Sequence, residues 1–69
     1  MSIKEFCEIV RNGNYGNYYV LYEDGGIGEF TNSSEYTPGR RMIVILQSLG
    51  KDLRLKDYME MAEEYMNIP

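Results

Sequence analysis

The longest unbroken run of aliphatic and thioether side chains is Met42-Ile43-Val44-Ile45-Leu46. Two arginines, Arg40 and Arg41, precede it, and Gln47-Ser48 follows. Read as a helix, at about 100° per residue, it sets Met42, Ile45, Leu46 and Leu49 on one stripe and turns Val44, Gln47 and Ser48 away. Thr37-Pro38 then supplies a helix start, and Gly50 a natural stop. Read as a strand, Ile43 and Ile45 face one way and Met42, Val44 and Leu46 the other, so both faces need cover, as in the central strand of a three-stranded sheet with a helix on each side. The β-branched residues favour the strand. The start signal, the stop and the clean stripe favour the helix, which is the preferred reading.

The remaining pattern is clearer. Ser2-Ile3-Lys4-Glu5 has the form of a capping box. Ile3, Phe6, Cys7 and Val10 follow at helical spacing with Ile9 beside them, and Asn12-Gly13 offers a left-handed stop, so a helix is expected over Ile3–Arg11. Asn14-Tyr15-Gly16-Asn17 is a turn. Tyr18–Glu23 is rich in aromatic and β-branched residues and reads as a strand. Asp24-Gly25-Gly26 is a hairpin signal, and Ile27–Thr31 is the returning strand. A two-residue Asp24-Gly25 loop pairs Leu21 with Gly28 and Tyr19 with Phe30. It groups Tyr19, Leu21 and Phe30 on one face, and Tyr18, Val20, Tyr22, Ile27 and Glu29 on the other. Moving the loop by one residue changes these faces. Asn32–Tyr36 is a polar connector; Asn32-Ser33-Ser34 fits a glycosylation sequon, which matters only in a secreted protein. Leu55–Met66 is a strongly amphipathic helix. Leu55, Tyr58, Met59, Ala62, Tyr65 and Met66 fall on one side, and Asp57, Glu60, Met61 and Glu64 on the other. The expected fold is α+β, a single small globular domain over residues 1–69, ordered helix–β-hairpin–helix–helix. The alternative is α-β-β-β-α with Met42–Leu46 as a third strand.

Composition narrows the chemistry. A chain of 69 residues buries one modest core, with a net stability of roughly 3–5 kcal/mol. One cysteine excludes an intramolecular disulfide, and the absence of histidine excludes His-based triads and the usual zinc sites. Cys7 lies on an apolar stripe and reads as a small buried hydrophobe. Gly25-Gly26-Ile27-Gly28 lacks dinucleotide-binding spacing and reads as a hairpin tip. No enzymatic activity, cofactor or metal is expected. The opening MSIKEF leads into no apolar h-region and no run is long enough to span a bilayer, so we expect a cytoplasmic protein, in the host cell's cytoplasm if it is phage-encoded.

Charge adds a pattern to the net −4. Residues 1–39 carry six acids against Lys4 and Arg11; residues 40–56 carry five bases, Arg40, Arg41, Lys51, Arg54 and Lys56, against Asp52; residues 57–69 carry four acids and no base. A helix-turn-helix reader is disfavoured because phosphates would repel Asp57, Glu60, Glu63 and Glu64 on its second helix. The expected partner surface combines Asp57, Glu60, Met61 and Glu64 with Glu23 and Asp24 at the hairpin tip and the rings of Tyr18 and Tyr22, since tyrosines are enriched at interfaces. That surface suits a larger, nucleic-acid-handling protein with a basic face. The expected function is that of a small acidic inhibitor or modulator, in its most concrete form an anti-CRISPR-like protein of a phage or mobile element that mimics nucleic-acid charge. Two alternatives stay open. One is a homo-oligomeric structural or assembly protein whose basic middle pairs with acidic ends. The other is a small RNA-binding regulator using Arg40, Arg41, Lys51, Arg54 and Lys56.

Overall fold

The computed structural model describes residues 1–31 and 39–67, to which every structural statement below refers. The first helix, α1 (Ile3–Asn12), starts as its capping residue requires: Ser2 Oγ accepts the Glu5 N–H at 3.1 Å. Phe6, Cys7 and Val10 form its buried face. Gly13 ends it in extended backbone, φ −78°, and not in the left-handed stop expected at this position. A Cβ on Gly13 would overlap the Tyr19 phenol, so this glycine gives a ring room to lie against the backbone.

Two strands follow, β1 (Tyr18–Tyr22) and β2 (Ile27–Phe30), paired antiparallel. Tyr22 C=O accepts the Gly25 N–H at 3.0 Å, and Tyr22 N–H donates to Gly26 C=O at 2.9 Å. The loop is therefore Glu23-Asp24-Gly25, with Gly25 at φ +88°, the three-residue arrangement of a tight turn followed by a left-handed residue. This moves the register by one from the two-residue expectation. Tyr18 now pairs with Phe30, Tyr19 with Glu29 and Leu21 with Ile27. Because strand side chains alternate, Phe30, Ile27 and Glu29 all change face.

The central apolar run is a strand, β3 (Met42–Gln47), not the preferred helix. The chain takes the α-β-β-β-α order of the alternative, within the expected α+β class. The sheet order is β2-β1-β3, all antiparallel, so β3 is an edge strand and β1 the central one. Val44 faces Leu21 and Leu46 faces Tyr19 across the ladder, and a bulge lies between Leu21 and Tyr22 opposite Met42–Val44. The second helix, α2 (Leu55–Met66), has the predicted bounds. The polar connector, the sequon and the Thr37-Pro38 start signal lie outside the described residues.

Both helices pack on one face of the sheet, instead of one on each side. Phe6, Cys7 and Val10 of α1, Tyr58 and Ala62 of α2, and Tyr19, Leu21, Val44 and Leu46 of the sheet form the main core. Val20, Tyr22 and Phe30 form a second buried cluster on the opposite face, with Tyr18 and Ile45 beside it. Gly28 opens the pleat there, because a Cβ would press on Val20 and the Tyr22 ring. The loops are tied at one end of the sheet. Ser48 N–H donates to Asn17 C=O at 2.8 Å, and Gly16 N–H to Ser48 C=O at 2.9 Å. Tyr58 reaches out of α2, accepting the Leu49 N–H at 2.9 Å and donating to Gly50 C=O at 3.1 Å. Gly50, read as a helix stop, instead turns this loop at φ +101°. No described helix is long and apolar enough to cross a membrane.

Candidate functional site

The hairpin tip brings together residues that the sequence assigned to separate surfaces. Antiparallel pairing of β1 with β3 returns the chain so that Arg40 and Arg41 arrive beside Glu23 and Asp24. Arg40 forms a two-pronged bond with Asp24, Nε to Oδ2 at 3.0 Å and a terminal nitrogen to Oδ1 at 2.7 Å. Asp24 Oδ1 also accepts the Gly26 N–H at 2.8 Å. Gly26 has no Cβ to obstruct the guanidinium. The same guanidinium lies 3.9 Å from the Tyr22 ring centroid, in cation–π geometry. Arg40, and after it the Gly26 N–H, hold the Asp24 carboxyl below the usual carboxylate range. Arg41 and Glu23 pair more loosely, at 3.6 Å, with both side chains exposed. Glu23 and Asp24 are thus already neutralised within the chain. Tyr22, expected at a partner surface, is 1% exposed and belongs to the second core cluster. Tyr18 stays half-buried.

The acidic side of α2 divides in the same way. Asp57 is half-buried; its Oδ2 accepts the Arg54 N–H at 3.1 Å and its Oδ1 pairs with the Arg54 guanidinium at 3.6 Å. It closes the helix start, a local task that the sequence reading missed. Glu60 lies 4.0 Å from Lys56. Met61, expected to be exposed, is half-buried and packs against the main core. Glu63 and Glu64 are exposed, with no ion pair among the described residues. The same pairs consume the candidate basic patch: Arg40, Arg41, Arg54 and Lys56 each face an acid of this chain. Of the five bases only Lys51 has no such pair among the described residues.

An acidic groove that the sequence reading did not assemble lies between α1 and the edge of β2. It is open, holds about 650 Å³, and is lined by Glu5, Glu8, Ile9 and Asn12 of α1, Gly13 and Asn14 of the following turn, and Tyr19 and Glu29 of the sheet. No base lines it. The α1 residues recur at helical spacing, so they form one stripe. Ile9 contributes an apolar wall and is 39% exposed. Tyr19 fixes the floor. Its hydroxyl accepts the Asn14 N–H at 3.0 Å and donates to Glu29 Oε1 at 3.1 Å, which also accepts from Asn17 Nδ2 at 3.0 Å. Burial is the main cause raising the Tyr19 phenol above its ordinary value, with the Glu29 carboxylate adding to it, against an opposing contribution from the Asn14 bond. Glu29 is held in place by neutral donors, and its charge stays uncancelled. The signal for this groove was present in the stripe Glu5, Glu8, Ile9, Asn12. Its far wall was hidden by the hairpin register, which in the expected form put Glu29 on the face opposite Tyr19.

Among the described residues no three acidic, Cys or His side chains converge as a metal would need. The groove's carboxylates are spread along a wall, an arrangement suited to several cationic groups on an extended surface. Cys7 offers no nucleophile, since it is fully buried and burial pushes its thiol up. A scan against protein-family models, a search of curated proteins and a search of solved structures each returned no match for this chain.

Proposed function

We propose that this chain is a small, non-enzymatic acidic binding protein that docks on a basic surface of a larger protein. The docked chain blocks or tunes a surface that otherwise holds nucleic-acid phosphates, which is how a compact inhibitor without chemistry of its own acts. One observation carries this reading. Of the acids with no ion pair among the described residues, Glu5, Glu8 and Glu29 converge on one groove, around the apolar contacts offered by Ile9 and Tyr19, whereas Glu63 and Glu64 lie on α2 outside it. Carboxylates beside an aliphatic and an aromatic wall suit the long apolar stems and charged heads of Lys and Arg. The RNA-binding alternative is weaker, because the bases it needs are spent on the chain's own acids. Excess negative charge would also repel phosphates.

The test begins by isolating the partner with a tagged chain from a lysate of the source cells. Affinity is then measured across a salt series. Glu5→Gln, Glu8→Gln and Glu29→Gln together should weaken binding by at least ~10-fold and flatten the salt dependence. Glu60→Gln with Glu64→Gln, on the outer side of α2, serves as the comparison and should do less. A triple variant with unchanged affinity and unchanged salt slope would overturn the reading.

A further inference from the structure

Asn12-Gly13 is the single Asn-Gly step in the sequence, and it carries chemistry besides its place at a helix end. Asparagine is a labile residue. Its side-chain amide carbon is open to attack by the next backbone nitrogen, and a glycine there puts no Cβ in the way. We propose that Asn12 is a deamidation site, held shut by the folded chain and opened by fraying of the last turn of α1. The Gly13 nitrogen gives its proton to hydroxide and bonds to Asn12 Cγ. The Cγ–Nδ2 bond breaks, and the departing nitrogen takes up a proton from water and leaves as ammonia. Water then opens the cyclic imide at either carbonyl, to aspartate or to its β-linked isomer. The net change is hydrolysis of the amide, with water consumed and ammonia released.

The structure holds the two reacting groups apart. Asn12 is exposed to water but belongs to the last turn of α1. Its Nδ2 donates to Glu8 C=O at 2.9 Å, which draws the side chain back along the helix. The Gly13 N–H donates to Val10 C=O at 3.1 Å, so the proton that attack must remove is engaged. Beyond them, the Asn14 N–H donates to the Tyr19 hydroxyl at 3.0 Å, and Ser48 Oγ donates to Gly13 C=O at 3.3 Å. The Tyr19 phenol lies against Gly13, in the space a Cβ would need. Attack requires these bonds to open, which the end of a helix does more readily than the core. Asn14 and Asn17 are each followed by tyrosine, whose side chain hinders the same attack.

The product changes the acidic groove, because Asn12 lines it. Aspartate at this position adds a fourth carboxylate to Glu5, Glu8 and Glu29. A carboxylate cannot donate to Glu8 C=O, and negative charge is unfavourable at a helix C-terminus. The α1 wall therefore loosens as its charge rises. The β-linked isomer lengthens the backbone beside the Tyr19 ring. All of this concerns the chain alone and is independent of the docking reading above.

The test incubates the full chain in mildly alkaline buffer, folded and in guanidinium chloride, and follows each asparagine by peptide mapping and mass spectrometry. In denaturant Asn12 should react first. In the folded chain its rate should be lower by at least ~10-fold. Tyr19→Phe, which removes the bond to Asn14, should raise the folded-state rate by ~5-fold, the factor that one lost hydrogen bond confers. Val20→Ala, which loosens the cluster on the opposite face of the sheet and leaves the turn intact, should raise it less. Asn12→Gln should remove the early acidic product on anion exchange. Far-UV circular dichroism confirms that each variant is folded. Another asparagine reacting first in denaturant, equal rates for Asn12 with and without denaturant, an early acidic product that survives Asn12→Gln, or a Tyr19→Phe rate no higher than that of Val20→Ala overturns the proposal.

Discussion

Tyr19 shows how much one side chain settles in a domain of this size. Its ring fills the main core, its hydroxyl closes the turn after α1 through Asn14, and the same hydroxyl fixes Glu29 at the acidic groove. Tyr19→Phe keeps the ring and removes both bonds, so at neutral pH it should cost about 1 kcal/mol in urea unfolding. The pH dependence has a definite sign. The folded phenol titrates above its ordinary value, so its contribution is complete below the unfolded pKa, near 10, and is lost as pH rises through the folded one. Wild-type stability should therefore fall above about pH 10 more steeply than that of Tyr19→Phe, and the gap between them should narrow. A gap that is constant or widening in that range would show that the phenol is not held protonated by the fold.

At the scale of elements, the helices were legible because their signals are local. Ser2 caps α1 in place, and the stripe of α2 runs between the predicted bounds. The sheet was not, because strand identity is decided by neighbours. Met42–Leu49 carries a clean helical stripe, yet that stripe leaves Val44 pointing outward, and Val44 is buried in the core. What decides it is β1. Both its faces are lined by large side chains, and a lone hairpin leaves one of its edges unpaired. A β-branched run that closes that edge gains ladder bonds and packing on two faces, which outweighs local helix preference. The Arg40–Asp24 pair was hidden for the same reason, since only the β1–β3 pairing brings the two together. That clamp is itself testable. Arg40→Met should speed hydrogen exchange at the Glu23 amide, whose bond to Arg41 C=O joins the hairpin tip to β3. Asp24 titrates below the usual range, so in the wild type this protection is complete above the ordinary carboxylate pKa and is lost as pH falls through the depressed one. Exchange at Glu23 that is unaffected by the substitution would show that the clamp does not hold the strand start.

For the whole molecule, the arrangement implies that the core opens as one unit. Phe6, Cys7 and Val10 meet Tyr58, Ala62 and the inner face of the sheet in the main cluster, so neither helix has an apolar interior of its own. Cys7 reports on this directly. It sits in the middle of α1, beyond the reach of end fraying, is fully buried, and its thiol is held protonated by that burial. Reaction with a thiol reagent therefore requires separation of α1 from both α2 and the sheet. If that is global unfolding, labelling of the native chain should be slower than that of the urea-unfolded chain by about 10²–10⁴-fold, the factor set by a stability of a few kcal/mol. The logarithm of the rate should then rise with urea along the slope of equilibrium unfolding. Fast labelling that is insensitive to urea would mean instead that α1 detaches while the sheet and α2 persist. The acidic groove, which needs α1 against β2, would then be only intermittently formed, and docking would have to select the closed state.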